Sequence, residues 1–133
     1  MVRFSDPAGE VAPIGAYSQL AFVPAGSETV HVSGQVGVDR GGRLVGPGVY
    51  EQTVQTFENI EALLAAEGMH ASQLVKLLTF LHADADFGEF ARARNEVYAR
   101  WFPSGVFPAH SAAKVAALAQ PALMVEIEGI AIR

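Results

Sequence analysis

The chain has 133 residues, with 9 basic and 14 acidic side chains and a net charge of −5, and its length predicts a single domain over residues 1–133. Half of the residues are hydrophobic and 17% are charged, which excludes a chain that is disordered throughout, while the lack of cysteine excludes disulfides, thiolate metal sites and cysteine nucleophiles. The acidic balance opposes a nucleic-acid partner, because binding to phosphates requires a basic surface.

The first part of the chain predicts three strands. Residues 17–23 and 30–38 are rich in Val and aromatic residues, which is typical of strands. The sequence DRGG at 39–42 predicts a hairpin turn that returns into a short third strand at 44–45.

A helix and a further strand follow. Apolar residues at helical spacing predict a helix over 49–67, and Gly68 lies where a glycine commonly ends a helix. The sequence LVKLLTFLH at 74–82 predicts a strand that is apolar on both faces.

The last part of the chain predicts a second helix and two strands. Asp86 begins the helix as its N-cap, and Glu89 completes the pattern of a capping box. The apolar stripe of this helix is predicted from Phe87, Phe90, Ala91, Val97 or Tyr98, and Trp101. Pro103 ends the helix, and strands at about 110–117 and 122–132 close the chain.

The order β-β-β-α-β-α-β-β indicates an α+β fold, with two helices on one face of a mixed sheet of about six strands. The strands at 74–82 and 122–132 are apolar on both sides, so the sheet face without helices requires a cover. Association of sheets into a closed, symmetric oligomer is the simplest cover, and clefts between subunits would then be natural ligand sites.

Polar side chains interrupt two of the predicted strands. His31, Ser33 and Gln35 alternate along one face of 30–38, and Glu126 and Glu128 share one face of 122–132. Carboxylates are costly to bury without a partner, so these glutamates belong either to a functional site or to the solvated end of an edge strand.

The known motifs of metal and cofactor sites are absent from the sequence. The four histidines show no spacing typical of metal ligands, and the chain has no dinucleotide-binding or phosphate-binding glycine loop, so we expect neither a metal nor a cofactor. The sequence has no apolar run long enough to span a membrane and no apolar leader. We therefore expect a cytoplasmic protein.

Seven segments stand out when they are taken in order along the chain: IGAYSQL (14–20), VSGQVGVD (32–39), QTFENIEALLAAEG (55–68), VKLLTFLHADADF (75–87), NEVYARWF (95–102), FPAHS (107–111) and VEIEGIAI (125–132). Together they resemble the Rid family, also called the YjgF or enamine/imine deaminase family. The resemblance implies a chorismate-mutase-like fold and a homotrimer with a barrel-like core. It also implies small-molecule clefts between neighbouring subunits. The best-known activity of the family is hydrolysis of 2-imino or 2-enamino acids to 2-keto acids and ammonia.

The resemblance assigns roles to individual residues. It implies that Tyr17 and Ser33 line the cleft, that Asn95 lies near the site and that Glu126 holds the attacking water. Ser111, within FPAHS, is taken with the residues that contact the ligand. Packing and capping of the local backbone are the alternative roles for Tyr17 and Asn95.

The chain departs from the family at residue 110. RidA-like members have FPARS, whose Arg binds the substrate carboxylate, whereas this chain has His110. A guanidinium binds both carboxylate oxygens and stays charged, whereas histidine is mostly neutral at pH 7. The exchange is expected to weaken carboxylate binding by about 2–4 kcal/mol. We therefore expect weak or absent activity on 2-imino acids, which a His110→Arg substitution would raise.

Four explanations of this departure remain open at this stage. In the first, Glu126 keeps His110 protonated, so that the two titrate as a pair, and in the second, Lys114 reaches into the cleft. In the third, the ligand is not a 2-imino acid, and in the fourth, His110 only fills the space of the Arg.

The favoured function is that of an imine hydrolase, in which Glu126 activates water and His110 serves as a hydrogen-bond donor or proton shuttle. The first alternative is a module that binds a small metabolite without turnover. An endoribonuclease or translation inhibitor, as some family members are described, is less favoured because of the net charge of −5.

Overall fold

Six strands and two α-helices make up the fold. The computed structural model describes residues 1–133. The elements in chain order are β1 (Arg3–Ser5), β2 (Leu20–Phe22), β3 (Thr29–Val36), α1 (Val49–Ala66), β4 (Leu74–His82), α2 (Phe87–Trp101), β5 (Ala109–Val115) and β6 (Val125–Ile132), with a short 3₁₀ turn at Ala71–Gln73.

The strands form two sheets. A four-stranded sheet has the order β3-β6-β4-β5, in which β4 and β5 are parallel and the other neighbours are antiparallel. β1 and β2 pair only with each other, antiparallel. The predicted α+β fold with two helices and a mixed sheet is confirmed, but its six strands divide into four and two instead of joining one sheet.

The predicted strand at 17–23 is shortened to β2. Its first residues bond to other groups: the Ser18 N–H donates to the Pro108 carbonyl at 3.1 Å, and the Gln19 N–H donates to Asp6 Oδ1 at 2.7 Å. The backbone at Ser18 and Gln19 is therefore used to anchor a loop, and a strand begins only after it.

Two details of the first part of the chain were predicted wrongly. The return strand at Leu44 and Val45 is reduced to one isolated bridge between Val38 and Leu44. β1 was not predicted, because a strand of three residues with an Arg at its first position has no pattern that distinguishes it from a loop.

The end of α1 follows the prediction within one residue. Gly68 has a φ of 72°, and its N–H donates to the Ala65 carbonyl at 3.0 Å, while the Met69 N–H donates to the Leu64 carbonyl at 2.9 Å. This pair of bonds is the Schellman motif, which favours glycine because its left-handed residue is strained by a side chain.

The second helix begins at its predicted cap. Asp86 accepts a hydrogen bond from the Gly88 N–H at 2.9 Å. Glu89 does not complete a capping box; its carboxylate binds Arg92 instead, at 2.8 Å. The helix ends two residues before Pro103, as predicted.

Both helices cover the same face of the four-stranded sheet. Phe57 of α1 and Trp101 of α2 meet edge to face, with ring centroids 5.3 Å apart, and the strand side chains beneath them, such as Leu77 and Ile127, are fully buried. We call the opposite side of the sheet the open face. It carries Lys76, Leu78, Phe80, Glu126, Glu128 and Ile130, which are partly or fully exposed. Neither α1 nor α2 is long and apolar enough to cross a membrane.

Candidate functional site

A cleft of about 560 Å³ lies at the start of β5, between the loop at 14–19 and α2. Its lining includes Ile14, Tyr17, Phe87, Arg94, His110 and Ser111. Phe87 was predicted to pack in the core, but its side chain is 48% exposed and contributes an apolar patch to the cleft. The volume is that of a small-molecule site.

The loop at 14–19 is anchored to the segment just before β5, where the cleft opens. Ser18 Oγ donates to the Phe107 carbonyl at 2.6 Å, and the Tyr17 phenol oxygen accepts from the Ile14 N–H at 3.2 Å. Tyr17 thus holds its own loop in shape and lines the cleft with the same ring. The local packing role and the ligand-facing role are both compatible with this position.

His110 is paired with Leu77 in the β4–β5 ladder, so its side chain points to the helix side of the sheet. Its Nε2 lies 2.7 Å from Thr79 Oγ1, and its Nδ1 lies 3.0 Å from the Tyr98 hydroxyl. Both ring nitrogens are therefore engaged inside the chain.

The surroundings of His110 disfavour its charged form. Burial, followed by the positive charges of Arg94 and Lys76, lowers the pKa of His110 from 6.5 to about 4. The ring is neutral at pH 7 and has one donor and one acceptor, each matched by a neighbouring hydroxyl.

Arg94 projects from α2 into the same cleft. Its Nε and Nη2 donate to Oδ1 of Asn95 at 3.2 and 3.1 Å, and its guanidinium carbon lies 5.6 Å from the centroid of the Phe90 ring. Burial lowers the pKa of Arg94, but a guanidinium stays charged in proteins. Asn95 is exposed on α2, and its side chain orients this cation instead of capping the backbone.

Ser111 and Lys114 follow His110 along β5. Ser111 lies at the rim of the cleft, where its Oγ accepts from Lys76 Nζ at 2.9 Å. Lys114 Nζ donates to the Ala85 carbonyl at 2.7 Å, so the lysine secures the turn before α2 and does not reach into the cleft.

Ser33 and Glu126 lie on a different surface. The register between β3 and β6 shifts between Val32 and Gln35, so Ser33 and Gly34 form a bulge. A Cβ placed on Gly34 would lie 2.6 Å from Glu126 Oε2, which shows that the carboxylate lies across the glycine. Glu126 is partly buried there, whereas Glu128 on the same open face is exposed.

The predicted site residues therefore form two groups. Tyr17, His110 and Ser111 line the cleft, and Asn95 lies beside it through its bond to Arg94. Ser33 and Glu126 lie on the open face. The expected contact between His110 and Glu126 does not form within one chain, because Glu126 is paired with Phe80 on the open face and His110 points to the helices. No three His, Asp or Glu side chains come together as metal ligands.

The whole chain has counterparts among known proteins. Residues 8–133 match the family described as Endoribonuclease L-PSP. The structure of YyfB, a protein of the conserved Rid family from Yersinia pestis, superposes with a TM-score of 0.85 at 28% identity, covering 99% of this chain and 98% of that protein. The chain belongs to the Rid family.

Two relatives have names that state an activity, and a further solved structure is similar to the chain. The 2-iminobutanoate/2-iminopropanoate deaminase of Capra hircus is 40% identical over 132 residues, which cover 98% of this chain and 90% of the relative. The human protein of the same name is 39% identical over 121 residues, covering 90% and 82%. The YjgF gene product of E. coli superposes with a TM-score of 0.71 at 31% identity, covering 92% and 91%.

Arg94 is the charged cleft residue, and neither the pattern nor the Rid resemblance identified it. The matching segment begins one residue later, at Asn95. A signal was nevertheless present, because Phe90, Arg94 and Val97 follow the helical spacing of a buried stripe. A cation in the middle of an apolar stripe is a candidate functional residue, since a structural role would favour an apolar side chain there.

Proposed function

We propose that this Rid chain is a deaminase that hydrolyses small imines, and the enamines that tautomerise to them, to a carbonyl compound and ammonia. The observation that carries the proposal is the 40% identity, along nearly the whole chain, to proteins named 2-iminobutanoate/2-iminopropanoate deaminase. The cleft beside Tyr17 and Ser111, with a volume of about 560 Å³, is large enough for such a ligand.

We further propose that the working unit is a homotrimer whose sites are shared between neighbours. Three features support the trimer. The open face carries uncovered apolar side chains, and both outer strands of the four-stranded sheet lack a second neighbouring strand. The predicted site residues are also divided between two surfaces. In the trimer, Ser33 and Glu126 of one subunit would face the cleft of the next, which supplies Tyr17 and Ser111.

In the proposed reaction, water adds to the carbon of the C=N bond while the Glu126 carboxylate accepts a proton from it. The protonated carboxyl gives this proton to nitrogen, which completes a neutral carbinolamine. The carbinolamine then collapses as its hydroxyl proton is passed, again through the carboxylate, to the amino nitrogen, so that the C–N bond breaks and ammonia leaves. An imine and one water thus become a carbonyl compound and ammonia. Tyr17, Ser33 and Ser111 would orient the ligand by hydrogen bonds.

The geometry supports a positioning role for His110 in place of the proton shuttle expected from the sequence. Both of its ring nitrogens are hydrogen-bonded to Thr79 and Tyr98, and its low pKa keeps it neutral. It would therefore fix the wall of the cleft between β4 and α2 and leave proton transfer to Glu126.

A coupled assay tests the deaminase. An amino-acid dehydratase generates 2-iminobutanoate in situ, and semicarbazide traps what has not been hydrolysed. We expect the wild-type chain to reduce trapping, Glu126→Gln to abolish this effect, and Glu128→Gln to preserve it. Tight binding of 2-oxobutanoate without any effect on trapping would instead support the metabolite-binding module, and cleavage of RNA that depends on the cleft would support the nuclease.

Light scattering tests the assembly. At micromolar concentration we expect a mass of about three times 14.1 kDa, unchanged by Glu126→Gln. A monomer of the single-chain mass would contradict both the trimer and the shared site.

A further inference from the structure

We propose that Arg94 is the residue that binds a carboxylate group of the ligand, from the α2 side of the cleft. The inference rests on the proposed function and narrows its substrate class to imines that bear a carboxylate, such as 2-imino acids. It replaces the expectation that the loss of Arg at position 110 removes this specificity.

The first argument is the charge of the cleft. Arg94 is the only side chain lining it that is charged at pH 7, since His110 is neutral. Within one chain, the guanidinium is thus the charged group of the cleft lining, and it attracts an anion. A planar carboxylate matches its parallel N–H groups and can form two hydrogen bonds with them.

The second argument is that Arg94 lacks an ionic partner within the chain. Arg92, Arg100 and Arg133 each bind a carboxylate, at distances of 2.6–2.8 Å. Arg94 donates only to the neutral amide of Asn95, although it is partly buried. Partial burial of an unpaired cation is unfavourable, and a bound carboxylate would relieve this cost.

The third argument comes from His110. Its two ring nitrogens already have partners in Thr79 and Tyr98, so it has no donor free for an anion. The positive charge of Arg94 also helps to keep it neutral. A second guanidinium at residue 110 would repel Arg94 across the same small cleft, so the neutral histidine and the cation on α2 are compatible with each other.

The fourth argument is that neighbouring groups suit a carboxylate held at Arg94. Ser111 lies at the rim with a hydroxyl that can donate, and Lys76, which donates to it, adds a second positive charge nearby. Phe87 and Ile14 provide apolar surface in the same cleft. A small anion with a short apolar chain fits this combination.

The test compares Arg94→Met with Arg92→Met, an equal loss of charge two residues away on α2 and outside the cleft. Calorimetry measures binding of 2-oxobutanoate and of its neutral analogue 2-oxobutanamide to the assembled protein, and turnover of 2-iminobutanoate is measured in parallel. We expect Arg94→Met to weaken binding of the acid by about 30-fold or more and to raise KM for the imine similarly. Binding of the amide should stay within about twofold, and Arg92→Met should resemble the wild type.

The outcomes separate this inference from the proposed function. Three results would overturn the role of Arg94. Arg94→Met binds the acid as tightly as the wild type, or it loses affinity equally for the acid and the amide, or the wild type does not bind the acid. If the wild type turns over 2-iminobutanoate and Arg94→Met does so equally well, the deaminase stands and the inference fails. If the acid binds through Arg94 but no imine is hydrolysed, the inference stands and the deaminase fails. Arg94→Lys keeps the charge without the planar fork, and should bind the acid with intermediate affinity.

Discussion

At the scale of single residues, the environment of His110 determines its protonation. Thr79 and Tyr98 provide hydroxyls that can either donate or accept, so they match either neutral tautomer of the ring. The protonated ring would be a donor at both nitrogens, in a partly buried place that already contains Arg94. Burial and the nearby positive charges therefore act in the same direction and lower its pKa to about 4.

This pKa predicts how stability depends on pH. The unfolded chain, with an ordinary histidine pKa of 6.5, binds more protons than the folded chain between pH 6.5 and 4, so stability falls as the pH is lowered through that window. From pH 7 to pH 5 the contribution of His110 to this loss is about 2 kcal/mol. Urea unfolding at fixed protein concentration should show a smaller loss for His110→Gln, and equal losses in both proteins would contradict the assignment.

The geometry around His110 leads us to predict the opposite of one expectation drawn from the sequence. His110→Arg would break the hydrogen bonds to Thr79 and Tyr98 and place a second guanidinium beside Arg94, so we expect lower stability and no gain in turnover of 2-iminobutanoate. Thermal unfolding and the trapping assay measure both effects. A clear increase in turnover would restore the earlier interpretation, in which residue 110 is where the carboxylate is bound.

Gly34 offers a test of Glu126 that leaves the carboxylate in the chain. The φ of Gly34 is not in the left-handed region, so alanine fits the backbone, but its Cβ would lie 2.6 Å from Glu126 Oε2. We expect Gly34→Ala to displace the carboxylate and reduce turnover by at least about tenfold, since a group shifted by about 1 Å loses much of its catalytic effect. Thermal unfolding should change little, because the obstructing atoms belong to a partly exposed side chain; a large destabilisation with normal turnover per folded protein would contradict this.

At the scale of elements, α1 is tied to the sheet by a buried amide. Gln52 is fully buried; its Nε2 donates to the carbonyls of Gly46 and Ala122 at 2.9 and 3.0 Å, and its Oε1 accepts from the Met124 N–H at 2.8 Å. One side chain thus joins the segment before α1 to the segment before β6. The latter segment leads directly into the strand that carries Glu126.

Removal of this amide should be strongly destabilising. Gln52→Leu leaves one donor and two acceptors of the backbone without partners, and we expect a loss of about 3–5 kcal/mol in the free energy of unfolding. Gln55→Leu is the matched control, because its amide donates only to Asn59 on the same helix, and it should change stability by less than about 1 kcal/mol. Similar effects of the two substitutions in urea unfolding would show that the connection made by Gln52 is unimportant.

The same elements show what local sequence could predict. Both helices and β4 were located within one residue, since Asp86 and Gly68 carry their own capping chemistry and 74–82 is a continuous apolar run. The segment at 17–23 was predicted less well because its first residues bond to Asp6 and Pro108, which are distant in sequence. A strand-like composition cannot reveal that those backbone groups are already used.

At the scale of the whole molecule, the sequence proposed candidate site residues but not their arrangement. The segments that resemble the Rid family contain Tyr17, Ser33, His110 and Glu126, yet the pattern gave no sign that they divide between the cleft and the open face. That division depends on which side of the sheet each strand presents, and a bulge at Ser33 and Gly34 alters the alternation there. Arg94 was not predicted, because a helical stripe predicts the apolar residues of a core and assigns no role to a cation within it.

The outer strands of the four-stranded sheet have a further consequence in the cell. β3 and β5 each leave one side of their backbone without a neighbouring strand over most of their length, and such an edge accepts any extended segment that reaches it. If the chain works as the proposed trimer, a newly synthesised copy without partners would expose these edges to aggregation and quality control. Substitutions at the contacts of that trimer should then reduce the abundance of the protein more than the activity of the molecules that remain.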